Sequence, residues 1–369
     1  MESITPKRSN RDIGLDLTRI VAFLFVPSAH FFLNAGFYTV PVIGLRMACM
    51  VMLRAVFLNT VPLFMLLTGY LLSVKTIPLQ WKALKAFYAG LFKVIATYLL
   101  CCVIIFLFRV FWLKEDLMFR DILLFGLSYG GYSWYVNMYI GLYLMIPLLN
   151  HIWHSAETKE SQIIIVVIFL VLTVVPTVFN IWNWHVDGAI LHPWVTDTFD
   201  GLVPDWWTDL HPITYYFIGA YIRRNVKVKE LPSGKLFLLM TVSLLLAGLF
   251  NYWRSYSVCF IWGSWCARWG FQNAINATLI FLFINSIRYK PAPEWLRKPI
   301  ALISDLTFGA YILSWIPDQV TYPVLAAAVP EVPSRIFYFI PYAGKTILIS
   351  LLLSLVVYLL VLCGRKLRR

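Results

Sequence analysis

Apolar stretches long enough to cross a membrane recur along this 369-residue chain, and they limit its fold more than any other feature. An α-helix needs about 20 predominantly apolar residues to span the hydrocarbon core of a bilayer. Windows that approach or reach this length lie near residues 13–36, 55–74, 87–111, 133–153, 162–181, 211–223, 236–253, 271–287, 299–319 and 339–363. Only 13% of the residues are charged, against about a quarter in soluble proteins, and the mean hydropathy is +0.74. We predict an all-α polytopic bundle of about ten transmembrane helices. No polar block is long enough to fold alone, so we predict one domain over residues 1–369.

The basic residues predict which side of the membrane each loop faces. If the N-terminus is cytoplasmic, about twenty basic residues fall in inner segments and about seven in outer loops, as the positive-inside rule requires. The inner residues are Lys7, Arg8, Arg11, Lys75, Lys82, Lys85, Lys159, Arg223, Arg224, Lys227, Lys229, Lys235, Arg288, Lys290, Arg297, Lys298, Arg365, Lys366, Arg368 and Arg369. We therefore predict that both termini are cytoplasmic. This topology accounts for the net charge of +13 without a nucleic-acid partner.

Three ionisable residues, Asp16, Arg19 and His30, lie within or beside the first apolar stretch. A charged group that faces lipid costs about 2.5 kcal/mol or more, so such residues usually face the protein interior and serve a function. Arg19 and His30 are separated by about 16 Å along a helix and return to nearly the same face. Asp16 lies one turn before Arg19 and can pair with it. The alternative is that Asp16 and Arg19 form a solvated helix end and that His30 is a satisfied interior histidine.

The spacing Arg19-x10-His30, which follows the run LDLT, resembles the first span of the acyltransferase-3 family of integral membrane acyltransferases. Four later segments resemble that family in the same order: VPLFMLLTGYLLSV (61–74), SWYVNMYIGLYLMIP (133–147), HPITYYFIGAYIRR (211–224) and LTFGAYILSW (306–315). The chain departs from the family pattern at two places. Lys82, Lys85 and Lys93 stand in place of an arginine-containing basic cluster, and Ser314 stands where the family often has a histidine.

The resemblance implies transfer of an acyl group, with acetyl favoured over succinyl, from an acyl-CoA to a carbohydrate or another small acceptor. Such a transfer needs a base for the hydroxyl proton, and cationic or hydrogen-bonding groups for the donor and the developing oxyanion. We therefore expect His30 to act as the base, with Arg19 and Asp16 in the catalytic set. Basic residues would hold the phosphates of acetyl-CoA from the cytoplasm, namely Arg19, Lys82, Lys85, Lys93, Arg223 and Arg224. The resemblance also implies a multi-pass protein of the bacterial cytoplasmic membrane, in contact with its lipids.

Aromatic residues near the outer face are candidates for binding a carbohydrate or lipid-linked sugar. A flat ring stacks on the apolar face of a sugar, while carboxylates accept hydrogen bonds from its hydroxyls. The candidates at the start of the fourth span and at the end of the longest outer loop are Trp134, Tyr135, Tyr139, Trp206, Trp207 and Asp209. The alternative for each of these aromatic residues is an anchoring role in the aromatic belt at the lipid headgroups.

Two further functions share this architecture: a non-catalytic exporter or flippase of polysaccharide or lipid-linked sugar, and a membrane sensor domain. Neither needs an arginine and a histidine aligned on one helix face. No metal is expected, because the six cysteines show no ligand spacing. Cys259 and Cys266 flank an outer loop in which a disulfide is one alternative and two free thiols the other. The oligomeric state is not indicated by the sequence.

Overall fold

The computed structural model describes residues 11–118, 120–121, 124–125, 134–289 and 293–366. These residues form α-helices joined by loops and short 3₁₀ turns, and they contain no β-strand. Besides a single helical turn at Pro176–Phe179, the helices are α1 Ile13–Asn34, α2 Gly44–Phe57, α3 Thr60–Leu72, α4 Trp81–Phe111, α5 Trp134–Ser155, α6 Lys159–Thr173, α7 His211–Asn225, α8 Ser233–Arg254, α9 Phe271–Ser286, α10 Glu294–Leu313, α11 Trp315–Ala328 and α12 Phe339–Lys366. The prediction of an all-α bundle is confirmed. Of the residues used in the sequence analysis, Lys7, Arg8, Ser133, Lys290, Arg368 and Arg369 lie outside the described part of the chain.

Several of these helices are long and apolar enough to cross a membrane. Within the described residues there are five such segments, at Ile13–Thr39, Gly44–Leu72, Trp81–Phe111, Ser233–Arg254 and Val332–Cys363. The pair α10 and α11 passes the same test together but is bent by 63°. The protein is therefore an integral, polytopic membrane protein. The predicted count of ten spans is not confirmed, because α6, α7 and α9 have only 15, 15 and 16 residues.

Polar residues at the ends of apolar runs fix where helices begin. The side chain of Asp12 accepts a hydrogen bond from the backbone N–H of Gly14 (2.8 Å), at the start of α1. The hydroxyl of Thr158 accepts one from the N–H of Ser161 (3.1 Å), at the start of α6. Each cap satisfies a backbone donor that has no partner within its helix. The first cap sets the position from which Asp16, one turn later, faces the protein.

Helices α3 and α7 cross with their backbones in close contact. A Cβ atom on Gly69 would overlap the carbonyl oxygen of Tyr216, and one on Gly219 would overlap that of Leu66. Small residues at such crossings let membrane helices approach closely, because lipid supplies no hydrophobic force that drives them together. This crossing holds α3, which carries Phe64, in a fixed position beside α1.

The break between α10 and α11 falls at Ser314. Pro317 has no N–H to donate to the carbonyl of Leu313, and its ring would collide with that carbonyl in a continuous helix. The chain bends there by 63°. Asp318 consequently lies in the first turn of α11 rather than in the middle of a straight span.

Loops assigned to the same side of the membrane contact one another. On the predicted inner side, the ammonium group of Lys229 donates to the carbonyl of Ile287 (3.2 Å). On the predicted outer side, Arg335 donates to the carbonyl of Ala35 (2.9 Å). The helices between these loops therefore run back and forth between two ends of the molecule.

The long outer loop is held by a buried arginine at the end of α8. Arg254 is 1% exposed and donates to the carbonyl oxygens of Pro193 and Thr196. The loop also closes on itself, since the amide of Asn180 exchanges two hydrogen bonds with the backbone of Val203 (2.8 and 3.0 Å). These bonds give the loop a defined structure above the bundle.

Candidate active site

His30 pairs with a carboxylate that lies far from it in the sequence. Its Nδ1 is 2.8 Å from Oδ2 of Asp318, which joins α1 to the first turn of α11. The histidine side chain is 15% exposed and that of Asp318 only 3%. A buried carboxylate on one ring nitrogen fixes the orientation of the ring and favours the tautomer in which Nδ1 carries the proton. The other nitrogen, Nε2, can then accept a proton.

His30 and Asp318 line a cavity of about 510 Å³ in the outer half of the molecule. Its volume lies within the range of small-molecule sites. Aromatic rings and a few polar side chains form its walls, among them Trp134, Trp262, Trp269, Asn34 and Gln319. Such a combination presents flat apolar surfaces together with hydrogen-bond donors and acceptors. We refer to it as the outer cavity.

Arg268 lies in the wall of the outer cavity. Its guanidinium carbon is 4.1 Å from the ring centroid of Trp134 and 4.8 Å from that of Trp269. A guanidinium at these distances is attracted by the electron-rich faces of both rings. Arg268 therefore fixes two aromatic walls of the cavity that contains His30.

Arg19 belongs to a polar network at the inner end of α1. Its Nη1 lies 3.6 Å from Oδ1 of Asp16 and donates a hydrogen bond to Oγ of Ser304 (2.9 Å). The same hydroxyl donates to Asp16 (2.7 Å). Arg11 also donates to Asp16 (2.9 Å) and binds Asp305 (2.8 Å). The structure thus shows the contact between Asp16 and Arg19 that their spacing predicts.

Arg19 also lies at the edge of two inner cavities. One, of about 300 Å³, has mostly apolar walls that include Tyr139 and Phe308. The other, of about 440 Å³, brings Lys93 and Asp305 to Arg19. We refer to the first as the apolar inner cavity and to the second as the polar inner cavity. A cationic entrance that leads to an apolar space suits a ligand with an anionic head and a less polar arm.

A wall of three aromatic residues separates the outer cavity from the apolar inner cavity. Phe64, Tyr135 and Tyr311 line both the outer cavity and the apolar inner cavity. The ring of Tyr135 packs edge-to-face on that of Tyr311, with the centroids 5.4 Å apart. The outer cavity, which contains His30, and the apolar inner cavity, which contains Arg19, are therefore adjacent and share these three side chains as a common wall.

Four of the predicted donor-binding residues lie away from Arg19. Lys82 and Lys85 are exposed on the first turns of α4. Arg223 stacks over the ring of Tyr70 at 5.0 Å, and Arg224 donates to the carbonyl of Ala156 (3.4 Å). Both of these arginines line a separate surface pocket, and the structure brings together only Arg19 and Lys93.

The predicted acceptor-binding residues divide in the same way. Trp134 and Tyr135 line the outer cavity with His30, while Tyr139 lines the apolar inner cavity. Trp206 and Trp207 are 81% and 51% exposed. Neither they nor the neighbouring Asp209 are among the described residues that line the outer cavity. The structure therefore favours the start of α5 over the outer loop as a place for an acceptor.

Asp318 and Arg268 were not predicted from the sequence. The signal for Asp318 was present, since it is an ionisable residue within a predicted apolar window, as His30 is. Arg268 gave no comparable signal, because it lies in a loop of mixed composition between α8 and α9. Cys259 and Cys266, whose pairing the sequence left open, are free thiols.

No group of three or more histidine, cysteine or acidic side chains within metal-binding distance occurs among the described residues. The chemistry available at the site is that of a histidine with a carboxylate partner, a cationic inner entrance and tyrosine hydroxyls. This set can move a proton, hold an anion and donate hydrogen bonds.

Comparisons with known proteins give one match. The acyltransferase-3 family model, described as an acyltransferase domain, matches residues 12–361. No curated protein and no solved structure matches the chain. The matched segment includes every described residue that lines the outer cavity and the apolar inner cavity, and all but Leu362 of those that line the polar inner cavity.

Proposed function

The chain belongs to the acyltransferase-3 family and is a membrane acyltransferase, and from that premise we propose that it is an O-acetyltransferase. It moves an acetyl group from cytoplasmic acetyl-CoA to a hydroxyl of a carbohydrate or lipid-linked sugar of the bacterial cell envelope. His30 acts as the general base. Both termini face the cytoplasm, and the protein lies in the bacterial cytoplasmic membrane.

One observation carries this proposal: the His30–Asp318 pair opens into a cavity that shares a wall with the cavity at Arg19. An enzyme that joins a cytoplasmic donor to an outer acceptor needs two binding spaces that meet at the reacting atoms. An exporter needs a path, but it does not need a histidine whose ring is held by a buried carboxylate at the meeting point.

The two inner cavities support the proposed binding of acetyl-CoA, the acyl donor. Arg19 and Lys93 supply two cations at the polar inner cavity, and cations of this kind hold phosphate oxygens through charge-assisted hydrogen bonds. The less polar arm of the CoA then enters the apolar inner cavity and carries the thioester toward the aromatic wall. Asp16 and Ser304 keep the guanidinium of Arg19 in place through their contacts of 3.6 and 2.9 Å.

The outer cavity supports the proposed binding of the carbohydrate acceptor. Trp134 and Trp269, fixed by Arg268, offer flat surfaces to a sugar ring. Asn34 and Gln319 offer amide groups that can both donate to hydroxyls and accept from them. These residues replace Trp206, Trp207 and Asp209 as the preferred acceptor contacts.

The chemical step is a direct acyl transfer. The acceptor hydroxyl gives its proton to Nε2 of His30 while its oxygen attacks the thioester carbonyl carbon, and Asp318 stabilises the resulting imidazolium. The tetrahedral intermediate collapses, the C–S bond breaks and the ester remains. The imidazolium returns its proton to the CoA thiolate, so the products are the O-acetylated acceptor and free CoA.

The test is transfer of labelled acetyl from acetyl-CoA to total envelope glycan in proteoliposomes. We expect His30→Ala to lower the rate by roughly 10²- to 10⁴-fold, which is the usual contribution of general acid–base catalysis. The matched control is His185→Ala, because His185 lies in the outer loop with its side chain 85% exposed. Equal transfer by wild type and His30→Ala would refute the role of His30. No transfer by wild type, with a competent acceptor present, would favour the exporter.

A further inference from the structure

Tyr135 occupies the point where the two halves of the site meet. It lines both the outer cavity with His30 and the apolar inner cavity with Arg19. The residue is 6% exposed, and its ring contacts Phe64 and Tyr311 with centroid distances of 5.8 and 5.4 Å. Its position is therefore set by packing from α3 and α10, which leaves the hydroxyl with little freedom.

The hydroxyl of Tyr135 differs from those of other buried tyrosines. Tyr215 donates to the carbonyl of Arg268 (2.8 Å) and Tyr216 donates to Oδ1 of Asn150 (2.5 Å). Within the described part of the chain, the Tyr135 hydroxyl makes no hydrogen bond. A buried phenol normally has a partner, because an unsatisfied donor is costly. A hydroxyl on the wall of two cavities that has no hydrogen-bond partner among the described residues is available to a substrate.

We propose that Tyr135 donates the hydrogen bond that stabilises the oxyanion of the tetrahedral intermediate. This inference rests on the proposed function and adds a catalytic residue to it. When the acceptor oxygen bonds to the thioester carbon, the carbonyl electron pair moves to the carbonyl oxygen. That oxygen then accepts a hydrogen bond from the Tyr135 O–H. The tyrosine keeps its proton throughout, and the pair returns to re-form C=O as the C–S bond breaks.

Arg19, Tyr139 and Arg268 are less well placed for this task. Arg19 lies about 16 Å from His30 along α1, because the two residues are eleven positions apart. Tyr139 lines the apolar inner cavity and Arg268 the outer cavity, so each reaches one substrate only. Tyr311 shares the wall and packs its ring edge-to-face against Tyr135, which fixes the position of the Tyr135 phenol.

The first test is the pair Tyr135→Phe and Tyr338→Phe, each of which loses only a hydroxyl. Tyr338 is 43% exposed and is not among the described residues that line the outer cavity or the two inner cavities. In acetyl transfer from acetyl-CoA to total envelope glycan, we expect Tyr135→Phe to lower kcat by about 10²-fold or more, as loss of an oxyanion donor does. We expect the KM for acetyl-CoA to change by less than about twofold, because this hydrogen bond forms only in the transition state. Tyr338→Phe should keep most of the wild-type rate.

The second test changes the strength of the donor while the tyrosine stays in place. Fluorinated tyrosines at position 135 make the phenol a stronger hydrogen-bond donor with little change in shape. We expect kcat to change progressively with phenol acidity at position 135 and to stay constant in the same series at position 338. A purely structural role for Tyr135 would give no such trend. This series also serves if Tyr135→Phe does not fold.

The measured rates distinguish an error about Tyr135 from an error about the overall reaction. An active wild type, an inactive His30→Ala and a Tyr135→Phe variant with normal kcat would overturn the role of Tyr135 alone. A flat fluorotyrosine series in an active enzyme would do the same. Wild-type protein that transfers no acetyl to a competent acceptor would overturn both.

Discussion

At the residue scale, the contact between His30 and Asp318 gives the site its chemistry. The two residues are 288 positions apart in the chain, and their side chains meet at 2.8 Å. Asp318 is 3% exposed, so its carboxylate is held in place by the surrounding protein rather than by water. The carboxylate holds Nδ1 of the ring, and Nε2 is the nitrogen that takes the hydroxyl proton in the proposed reaction.

Asp318→Asn is therefore expected to lower kcat for acetyl transfer by roughly 10²- to 10⁴-fold, because an amide can donate to Nδ1 and leave the proton on the wrong nitrogen. The KM for acetyl-CoA should not change. Asp187→Asn, at an exposed position of the outer loop, is the control. Since the pair acts as a unit, the double variant His30→Ala/Asp318→Ala should be no slower than His30→Ala alone. Additive losses would contradict a joint role.

At the scale of elements, the positions of short helices are decided by close crossings. Helices α3 and α7 have 13 and 15 residues, and Gly69 and Gly219 let their backbones touch. The break before α11 has a different cause, the missing N–H of Pro317, and it turns Asp318 toward the outer cavity. The crossing of α3 with α7 and the break between α10 and α11 together place α1, α3 and α11 around the outer cavity.

Gly69→Ala should destabilise the protein, because the added methyl group would overlap the carbonyl of Tyr216. Overpacking of this kind typically costs about 1–3 kcal/mol. We expect a lower midpoint of thermal unfolding in detergent, measured by loss of monodisperse protein. Gly141→Ala is the matched control, since nothing lies within 4 Å of its added methyl group and alanine favours helix. A Gly69→Ala variant as stable as Gly141→Ala would contradict the close crossing.

At the scale of the whole molecule, the predicted topology can be tested across one helix. Helix α8 alone connects Lys227, assigned to the cytoplasm, with Cys259, assigned to the outside. Cys259 is an exposed thiol, and the side chain of Lys227 is 80% exposed. Both positions are therefore open to a reagent in water.

A membrane-impermeant thiol reagent added to intact cells should label Cys259 in a variant whose other cysteines are replaced. In a cysteine-free background, Lys227→Cys should be labelled only after the membrane is permeabilised, because positive segments stay in the cytoplasm. The reverse pattern would invert the orientation. Labelling of both positions from the same side would show that α8 does not cross the bilayer.

The sequence by itself determined the all-α membrane class and the family, and it indicated Arg19 and His30 as candidates for the site. These follow from local properties, because helical hydrogen bonds form within one segment and the cost of placing a charge in lipid belongs to each residue. Length and hydropathy did not fix the number of spans, since α7 has only 15 residues and is mostly buried among its neighbours.

Only the tertiary structure decided which side chains share a cavity. It joined His30 to Asp318, set Lys93 beside Arg19, and left Arg223 and Trp206 elsewhere. The physical reason is that the neighbours of a side chain depend on where helices cross and where they bend, and the helices that meet are far apart in the chain. Those contacts are fixed by side-chain shape at each crossing, which hydropathy and motif spacing do not encode.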